Sequence, residues 1–277
     1  MRHQEGFFTG VRGTSIYYRF WFPEGEPRAV LLIVHGLAEH SGRYMNVVDH
    51  FVPLGYAVYS IDHLGHGKSG GARVYIKRFN DFMDTLSVYG DMVRKWQPGK
   101  SLFLVGHSMG ALISALFMLD HQAELAGAIL SGPSVKVPNN ASPITISMVK
   151  LLSTLLPRAG LFQLEAEGVS RDPAVVQAYV RDPLVHTRKI TAWLIHEMLK
   201  AMQRITAEAS KITLPVLIVQ GSADRLIDPD GARMLYGAVS SVDKTIKIYD
   251  GLYHEVFNEP EHDQVLGDVE AWLEARL

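Results

Sequence analysis

Short apolar runs alternate with stretches of helical spacing along most of the chain. The runs are rich in β-branched and aromatic residues and predict strands at residues 15–22, 29–35, 56–61, 102–105, 127–131, 215–221 and 245–249. Between them, apolar residues recur every three or four positions, as in the helix predicted from about Asp81 to Trp96 with Phe82, Leu86 and Tyr89 on one face. This alternation predicts an α/β fold, with a mostly parallel sheet and helices on both faces.

The alternation stops at residues 133–210, which we call the insertion. Two apolar stripes at helical spacing occur in it, one at Met148, Leu151, Leu152, Leu155 and Leu156 and the other at Leu194, Met198 and Met202. Helices inserted between strands of an α/β sheet predict a cap over the carboxyl ends of the strands, where such sheets bind ligands. We therefore expect a single domain over residues 1–277 with a helical cap at 133–210. Each stripe could belong to a core or line an apolar tunnel for substrate.

Composition narrows the class of protein without indicating its chemistry. The 277 residues are 47% hydrophobic and 20% charged, with a formal net charge of −2 and no cysteine. The lack of a basic cluster argues against a nucleic-acid partner, and the lack of cysteine excludes disulfides and thiolate metal sites. We find no apolar run of about 18 residues that would predict a transmembrane helix, and no apolar core of a secretory signal. We expect a cytoplasmic protein.

The pentapeptide GHSMG at residues 106–110 matches the G-x-S-x-G pattern of a nucleophile elbow. A strand-like run precedes it and a helix-like run follows it, which makes the match more specific than the bare pattern. A sharp strand-to-helix turn holds a serine hydroxyl exposed, where a neighbouring base can activate it. The flanking glycines let the two backbones approach closely enough for this turn. Ser108 is therefore the candidate nucleophile.

A serine nucleophile needs a base and a carboxylate that orients the base, and in this architecture both follow the serine in the chain. His254 lies in the loop between the last predicted strand and the last predicted helix, at the same end of the sheet as Ser108. Asp224 directly follows the strand at 215–221 and is the preferred acid. Asp228 is the alternative, although its position before a proline also fits a helix cap.

The negative charge that develops on the substrate carbonyl oxygen requires two backbone N–H donors. In this architecture one comes from the residue after the nucleophile, Met109, and the other from the loop after the strand at 29–35, most simply from Leu37. Because only the amides take part, the two side chains should matter much less.

Six segments together resemble the monoacylglycerol lipases of the serine α/β-hydrolase superfamily, especially the bacterial ones. They are, in chain order, HGLAEHSGRY, DHLGHGKSGG, GHSMG, DPLVH, QGSADRLID and YDGLYHEVFNEP. The resemblance spans essentially the whole chain and implies a triad of Ser108, Asp224 and His254, an oxyanion hole at Leu37 and Met109, and glycerol-recognising positions at Glu39, Arg43 and Tyr179. Some family members carry a further histidine three places after the catalytic one, where this chain has Phe257.

The resemblance implies hydrolysis of a monoacylglycerol to fatty acid and glycerol without metal or organic cofactor. A capped apolar site suits one acyl chain, while Glu39 and Arg43 could either hydrogen-bond glycerol or simply pair with each other. A broad carboxylesterase or lysophospholipase is the alternative, since the triad acts on the ester and not on what is attached to it. From the apolar cap we also hypothesise transient contact with lipid surfaces, and hence peripheral membrane association. The oligomeric state is not readable from the sequence.

Other enzyme classes match the sequence less well. Gly65 to Gly70 fit G-x-G-x-x-G after a strand, but residues 71–76 do not open a convincing helix, as dinucleotide binding requires. A P-loop would need glycine at Asp62. The two His-Glu pairs lack the second histidine of a zinc peptidase, because Lys200 and Asn258 stand in its place. A noncatalytic binding protein on the same fold remains the alternative outside enzymes.

Overall fold

The structure is a computed structural model that describes residues 1–137 and 143–277. Its strands are β1 (Arg2–Thr9), β2 (Ser15–Phe22), β3 (Ala29–Val34), β4 (Tyr56–Ile61), β5 (Leu102–His107), β6 (Gly127–Ser131), β7 (Gly160–Phe162), β8 (Ile190–Thr191), β9 (Val216–Gly221) and β10 (Lys244–Tyr249). Its α-helices are α1 (Met45–Phe51), α2 (Asn80–Trp96), α3 (Met109–His121), α4 (Pro143–Leu155), α5 (Pro173–Arg181), α6 (Ala192–Glu208), α7 (Asp230–Ala238) and α8 (His262–Glu274).

Eight strands form the central sheet in the order β1-β2-β4-β3-β5-β6-β9-β10. The β1–β2 and β2–β4 pairs are antiparallel, and the other pairs are parallel. From β3 the chain moves to β4 on one side and then to β5 on the other, where Leu32 pairs with Leu104 and Val34 with Gly106. The carboxyl ends of β3 and β5 therefore flank a topological switch point, where open α/β sheets bind ligands.

Alternate residues of the central strands pack into apolar layers on opposite faces of the sheet. Val30 and Leu32 of β3 belong to a core cluster that includes residues of α2, α3 and α6. Leu31 and Ile33 belong to a second cluster that includes residues of α1 and α8. Because both faces of the sheet are covered, its parallel strands read as continuous apolar runs. The predicted fold class, with helices on both faces, is confirmed.

The insertion contains α4, α5 and α6 together with a short antiparallel pair, β7 and β8, that the sequence analysis did not predict. Hydrogen bonds fix α6 to the segment before α2. The indole of Trp193 donates to the carbonyl of Lys77 at 3.1 Å, and the backbone N–H of Phe79 donates to the carboxylate of Glu197 at 2.8 Å. These bonds anchor α6 to the part of the chain that packs on the sheet.

The two predicted stripes of the insertion lie in opposite environments. Leu194 of α6 is fully buried, as expected of core. Leu151 and Leu155 of α4 are 59% and 66% exposed, so this stripe is not core. In the described part of the chain, no helix is both long enough and apolar enough to span a membrane.

Apart from shifts of one or two residues at strand ends, two further differences from the sequence analysis lie near the ends of the chain. Strand β1 was not predicted, because it is an edge strand that is mostly exposed on both faces and lacks a clear apolar alternation. Near the end of the chain, Pro260 would fit the first turn of the last predicted helix, but α8 begins at His262, so the proline precedes it. Neither difference moves the candidate residues.

Candidate active site

Ser108 stands at the turn between β5 and α3 with φ 55° and ψ −119°. A positive φ is uncommon for a residue with a side chain, and such strain is found at functional sites. The backbone N–H of Ser108 donates to the carbonyl of Ser131 at 2.9 Å, which fixes the turn to the end of β6. The predicted elbow is therefore a tight turn that is hydrogen-bonded to the end of β6.

Gly110 allows α3 to begin directly against the end of β3. A Cβ at this position would lie 1.9 Å from the carbonyl oxygen of Val34, so a larger residue would force the helix and strand apart. A Cβ at Gly106 would lie 2.7 Å from the carbonyl oxygen of Gly110. This close packing places the first amides of α3 beside the loop that follows β3, and those amides have no partner within the helix.

The predicted oxyanion residues lie on the two sides of this contact. Met109 is the first residue of α3, and Leu37 follows Gly36 in the loop after β3. A Cβ at Gly36 would lie 3.2 Å from the Cβ of Ser108, which shows how near this loop comes to the serine turn. Ala38 turns the loop with a φ of 66°. The role of the two amides stays a prediction.

His254 and Asp224 form a direct and buried pair. Nδ1 of His254 donates to Oδ2 of Asp224 at 2.7 Å, and the two side chains are 5% and 0% exposed. The other carboxylate oxygen accepts the backbone N–H groups of Leu226 and Ile227 at 2.9 and 3.1 Å. The amide of Gln220 donates to Oδ2 at 2.9 Å. These bonds hold the carboxylate towards the imidazole.

Each member of this pair stabilises the charged form of the other. Burial lowers the pKa of His254, but the charge of Asp224 and its hydrogen bond outweigh burial and leave that pKa above its ordinary value. Burial raises the pKa of Asp224, but the charge of His254 and its hydrogen bond outweigh burial and leave that pKa below its ordinary value. The imidazole is therefore well suited to accept a proton beside an ionised carboxylate.

Asp228, the alternative acid, makes different contacts. Its Oδ1 accepts the backbone N–H of Asp230 at 3.0 Å, and its Oδ2 accepts the ammonium of Lys136 at 2.7 Å. The first contact is made to the first residue of α7, whose N-cap position is occupied by Pro229 and not by Asp228. The structure brings Asp224, and not Asp228, to His254.

Ser108 and His254 approach each other from β5 and from the loop after β10. The ring centroids of His107 and His254 are 4.7 Å apart, and a Cβ at Gly132 would lie 3.1 Å from the His254 ring. Among the hydrogen bonds of the described residues, none joins the Ser108 hydroxyl to His254. Catalytic hydrogen bonds are often long in the free enzyme and shorten with substrate. The catalytic roles of the three residues stay predictions.

The predicted glycerol-recognising residues form one buried group. Nη1 of Arg43 donates to Oε2 of Glu39 at 3.0 Å, so these two side chains do pair with each other. The Arg43 guanidinium also lies 4.6 Å from the centre of the Tyr179 ring, which α5 of the insertion contributes. The group therefore spans the loop after β3 and the insertion.

Sequence reasoning missed two residues that support the site. Gln220 orients Asp224, and Glu255 forms a bidentate ion pair with Arg43 at 2.5 and 2.8 Å. A signal existed for Gln220, because it is a polar residue at the end of the otherwise apolar run VLIV of a predicted central strand. The structure buries it fully. For Glu255 the only signal was its position directly after His254.

These features define the class of protein. The chain is a serine hydrolase with the α/β-hydrolase fold. A profile of the family described as "Serine aminopeptidase, S33" matches residues 25–261, and the chain belongs to this family.

Individual relatives agree with this assignment. The chain is 40% identical to a monoacylglycerol lipase of Mycolicibacterium smegmatis, with 99% of this chain and 98% of the relative covered. It is 35% identical to the monoglyceride lipase of Homo sapiens over 95% of this chain and 88% of the relative. Its fold is similar to the crystal structure of the Paleococcus ferrophilus monoacylglycerol lipase, with a TM-score of 0.85, 30% identity, and 95% and 99% of the two chains covered. Within residues 1–137 and 143–277, no three His, Cys, Asp or Glu side chains group so as to hold a metal ion.

Proposed function

We propose that this protein hydrolyses the ester bond of monoacylglycerols to a fatty acid and glycerol, through an acyl-enzyme on Ser108. The observation that carries the proposal is the buried Asp224–His254 pair, joined at 2.7 Å, beside the strained turn of Ser108. The relatives named monoacylglycerol lipase support the choice of substrate.

The reaction proceeds in two halves. His254 accepts the proton of the Ser108 hydroxyl as the Ser108 oxygen attacks the ester carbonyl. The resulting oxyanion accepts hydrogen bonds from the backbone N–H groups of Leu37 and Met109. His254 then donates the proton to the departing glycerol oxygen, which leaves the acyl group on Ser108. Water, deprotonated by His254, attacks this acyl-enzyme, and His254 then returns the proton to the Ser108 oxygen as the fatty acid leaves. Asp224 keeps the imidazole oriented and stabilises its protonated form throughout.

Glycerol recognition is assigned to Glu39, Arg43 and Tyr179. Arg43 uses three N–H groups for its two carboxylate partners, so two of its five donors remain for substrate hydroxyls. Tyr179 is 3% exposed and lies against Arg43, and among the described residues its hydroxyl makes no hydrogen bond. A buried polar group of this kind gains by pairing with a ligand hydroxyl.

The insertion, residues 133–210, acts as a cap in this proposal and receives the acyl chain. Its backbone meets the site, because the N–H of His186 donates to the carbonyl of Ala38 at 2.7 Å. The exposed apolar face of α4, which includes Leu151 and Leu155, makes transient contact with the lipid surface that delivers the substrate. Support for this contact comes from the exposure of its side chains, since contiguous exposed apolar patches mark interaction or membrane sites.

A substrate panel with two serine variants tests the proposal. Purified wild type, Ser108→Ala and the control Ser114→Ala are assayed on mono-, di- and triacylglycerols, lysophospholipid and p-nitrophenyl butyrate. We expect Ser108→Ala to lose about a millionfold in kcat. Ser114→Ala should keep wild-type activity, because Ser114 is a buried helix residue whose hydroxyl has no partner among the described residues.

Each outcome of the panel has a definite meaning. Monoacylglycerol should be the preferred glyceride, with slower cleavage of the bulkier di- and triacylglycerols. A folded Ser108→Ala variant with near-normal turnover would remove Ser108 from the mechanism. Equal turnover of lysophospholipid and monoacylglycerol would replace the proposal with a broad esterase or lysophospholipase.

A further inference from the structure

Arg43 joins two loops that come from distant parts of the chain. It lies in the segment after β3 that also holds Leu37, whereas Glu255 follows His254 in the loop after β10. The guanidinium donates to both oxygens of Glu255, at 2.5 and 2.8 Å, and to Glu39 at 3.0 Å. All three side chains are more than nine-tenths buried.

Each carboxylate also fixes the backbone of its own loop. Oε1 of Glu39 accepts the backbone N–H of Gly36 and the hydroxyl of Tyr44, both at 2.6 Å, so it closes the turn that contains Leu37. Oε2 of Glu255 accepts the side-chain amide of Asn258 at 2.9 Å, which holds the loop just after His254. The ion pairs of Arg43 therefore set the distance between the oxyanion loop and the base.

The energetics favour such a positioning role over a stabilising one. Burying three charges costs several kcal/mol per ion in desolvation, and well-packed apolar residues of similar size often give equal or greater stability. A buried charged bridge does, however, fix the orientation of the groups it joins, because bidentate Arg–carboxylate geometry tolerates little displacement. Catalysis is sensitive to displacement, since a shift of about 1 Å can cost about a hundredfold in rate.

We propose that Glu255 and Arg43 are positioning residues, which keep the Leu37 amide and the His254 imidazole at a fixed distance from each other during acyl transfer. This role rests on the proposed function only in that Ser108 and His254 carry out ester hydrolysis. It differs from glycerol recognition, because it must operate on any ester, including one that has no glycerol.

The test compares two substrates in the variant Glu255→Gln. With monoacylglycerol and with p-nitrophenyl butyrate, which lacks a polyol, we expect kcat to fall by the same factor, about tenfold to a hundredfold, with little change in KM. Arg43→Lys keeps the charge but loses the bidentate contact, and it should reproduce the loss of kcat on p-nitrophenyl butyrate. On monoacylglycerol it should also raise KM, because Arg43 contacts glycerol in the proposed function. The double variant Glu255→Gln/Arg43→Lys should be little worse than either single variant, because the two residues act through one another.

The pH profile provides a second readout, which a purely structural role would not move. Asp224, Glu255 and Glu39 act on the imidazole, and the ring of His107, which Arg43 faces, has its centroid 4.7 Å from that of His254. Loss of the Glu255 charge removes one of the groups that raise the pKa of His254. The acid limb of kcat/KM should therefore move to lower pH in Glu255→Gln.

Asp81→Asn is the matched control, because Asp81 is 2% exposed and is paired with Arg12 and Arg78 away from the site. It should lower stability without changing kcat. If Glu255→Gln does not fold, the triple variant Glu39→Gln/Arg43→Met/Glu255→Leu replaces it. It leaves no unpaired buried charge in this group and should fold with reduced kcat on p-nitrophenyl butyrate.

Two results would overturn the proposal. One is a folded variant with kcat on p-nitrophenyl butyrate within about twofold of wild type, since misplacement on the expected scale costs far more. The other is a loss confined to monoacylglycerol, which would make the bridge part of glycerol recognition. Wild type that cleaves p-nitrophenyl butyrate but not monoacylglycerol would refute the proposed substrate alone.

Discussion

The carboxyl edge of the sheet buries charged side chains, whereas helix α4 exposes apolar ones. At the sheet edge, Asp224 and His254 are buried, and each finds its charged partner within 2.7 Å. On α4, Leu151 and Leu155 are more than half exposed and face solvent. Fixed dipoles and charges in a dry site stabilise a transition state, because they need not reorganise during the reaction. An apolar surface left in water is useful only where something apolar can cover it.

The insertion contains the same contrast within itself. Helices α4 and α6 carry apolar stripes of similar spacing, but Leu194 of α6 is fully buried and the helix is tied to the segment before α2. The apolar stripe of α6 is thus part of the core that packs on the sheet, whereas that of α4 is exposed. We call the sheet with its carboxyl-edge residues and α6 the fixed region, and the exposed face of α4 the outward-facing region. The predictions below test whether this division holds.

Of the predictions in this comparison, the largest effect is expected in the fixed region, from Asp224→Asn. The amide cannot hold the imidazole in the correct tautomer, so kcat should fall about ten-thousandfold while substrate binding is retained. The measurement is kcat on p-nitrophenyl butyrate. Asp228→Asn is the matched control and should stay within about threefold, because the Asp228 carboxylate contacts Lys136 and the start of α7, whereas the carboxylate on His254 is that of Asp224. A similar loss in both variants would mean that the acid has been wrongly assigned.

The two leucine stripes should differ in their contribution to stability. Leu194→Ala removes a fully buried side chain and should lower the free energy of unfolding by about 2–5 kcal/mol. Leu155→Ala changes a side chain that is 66% exposed and should stay within about 0.5 kcal/mol. Urea unfolding of both variants measures the difference. Equal losses would show that α4 packs as core in solution and would break the division.

Acid should destabilise the fixed region through its buried histidines. Burial lowers the pKa of His66 to about 4, whereas an unfolded histidine titrates near 6.5. The unfolded chain therefore binds more protons between these values, so stability falls as the pH drops from about 6.5 to about 4. The loss from His66 amounts to about 3 kcal/mol. Urea unfolding of wild type and His66→Asn against pH should show a shallower slope in the variant, and equal slopes would contradict this assignment.

The fixed region was also the more predictable one from sequence. Its central strands are apolar throughout because both sheet faces are covered. Ser108 directly follows β5, Asp224 lies in the turn after β9, and His254 lies in the loop after the last strand. Chain order and strand position were enough to select them. The Arg43–Glu255 bridge was not predictable, because it joins residues 212 positions apart through the turns of two loops.

The exposure of the α4 stripe was unpredictable for a different reason. Helical spacing shows that one face of a helix is apolar, but it does not show what that face meets. The two stripes of the insertion illustrate this limit, since one proved to be core and the other faces solvent. Strand β1 was missed because an exposed edge strand carries no burial pattern.

The smallest effect is expected from the outward face of α4, and it depends on how the substrate is presented. Leu151→Ser/Leu155→Ser removes apolar area that would enter a lipid surface, so activity on emulsified monoacylglycerol should fall about threefold or more. Activity on dissolved p-nitrophenyl butyrate should not change, because the site itself is untouched. Val242→Ser is the control, since Val242 is fully exposed but lies outside the insertion. If the double variant keeps full activity on the emulsion, α4 does not contact the lipid, and its exposed leucines require another partner.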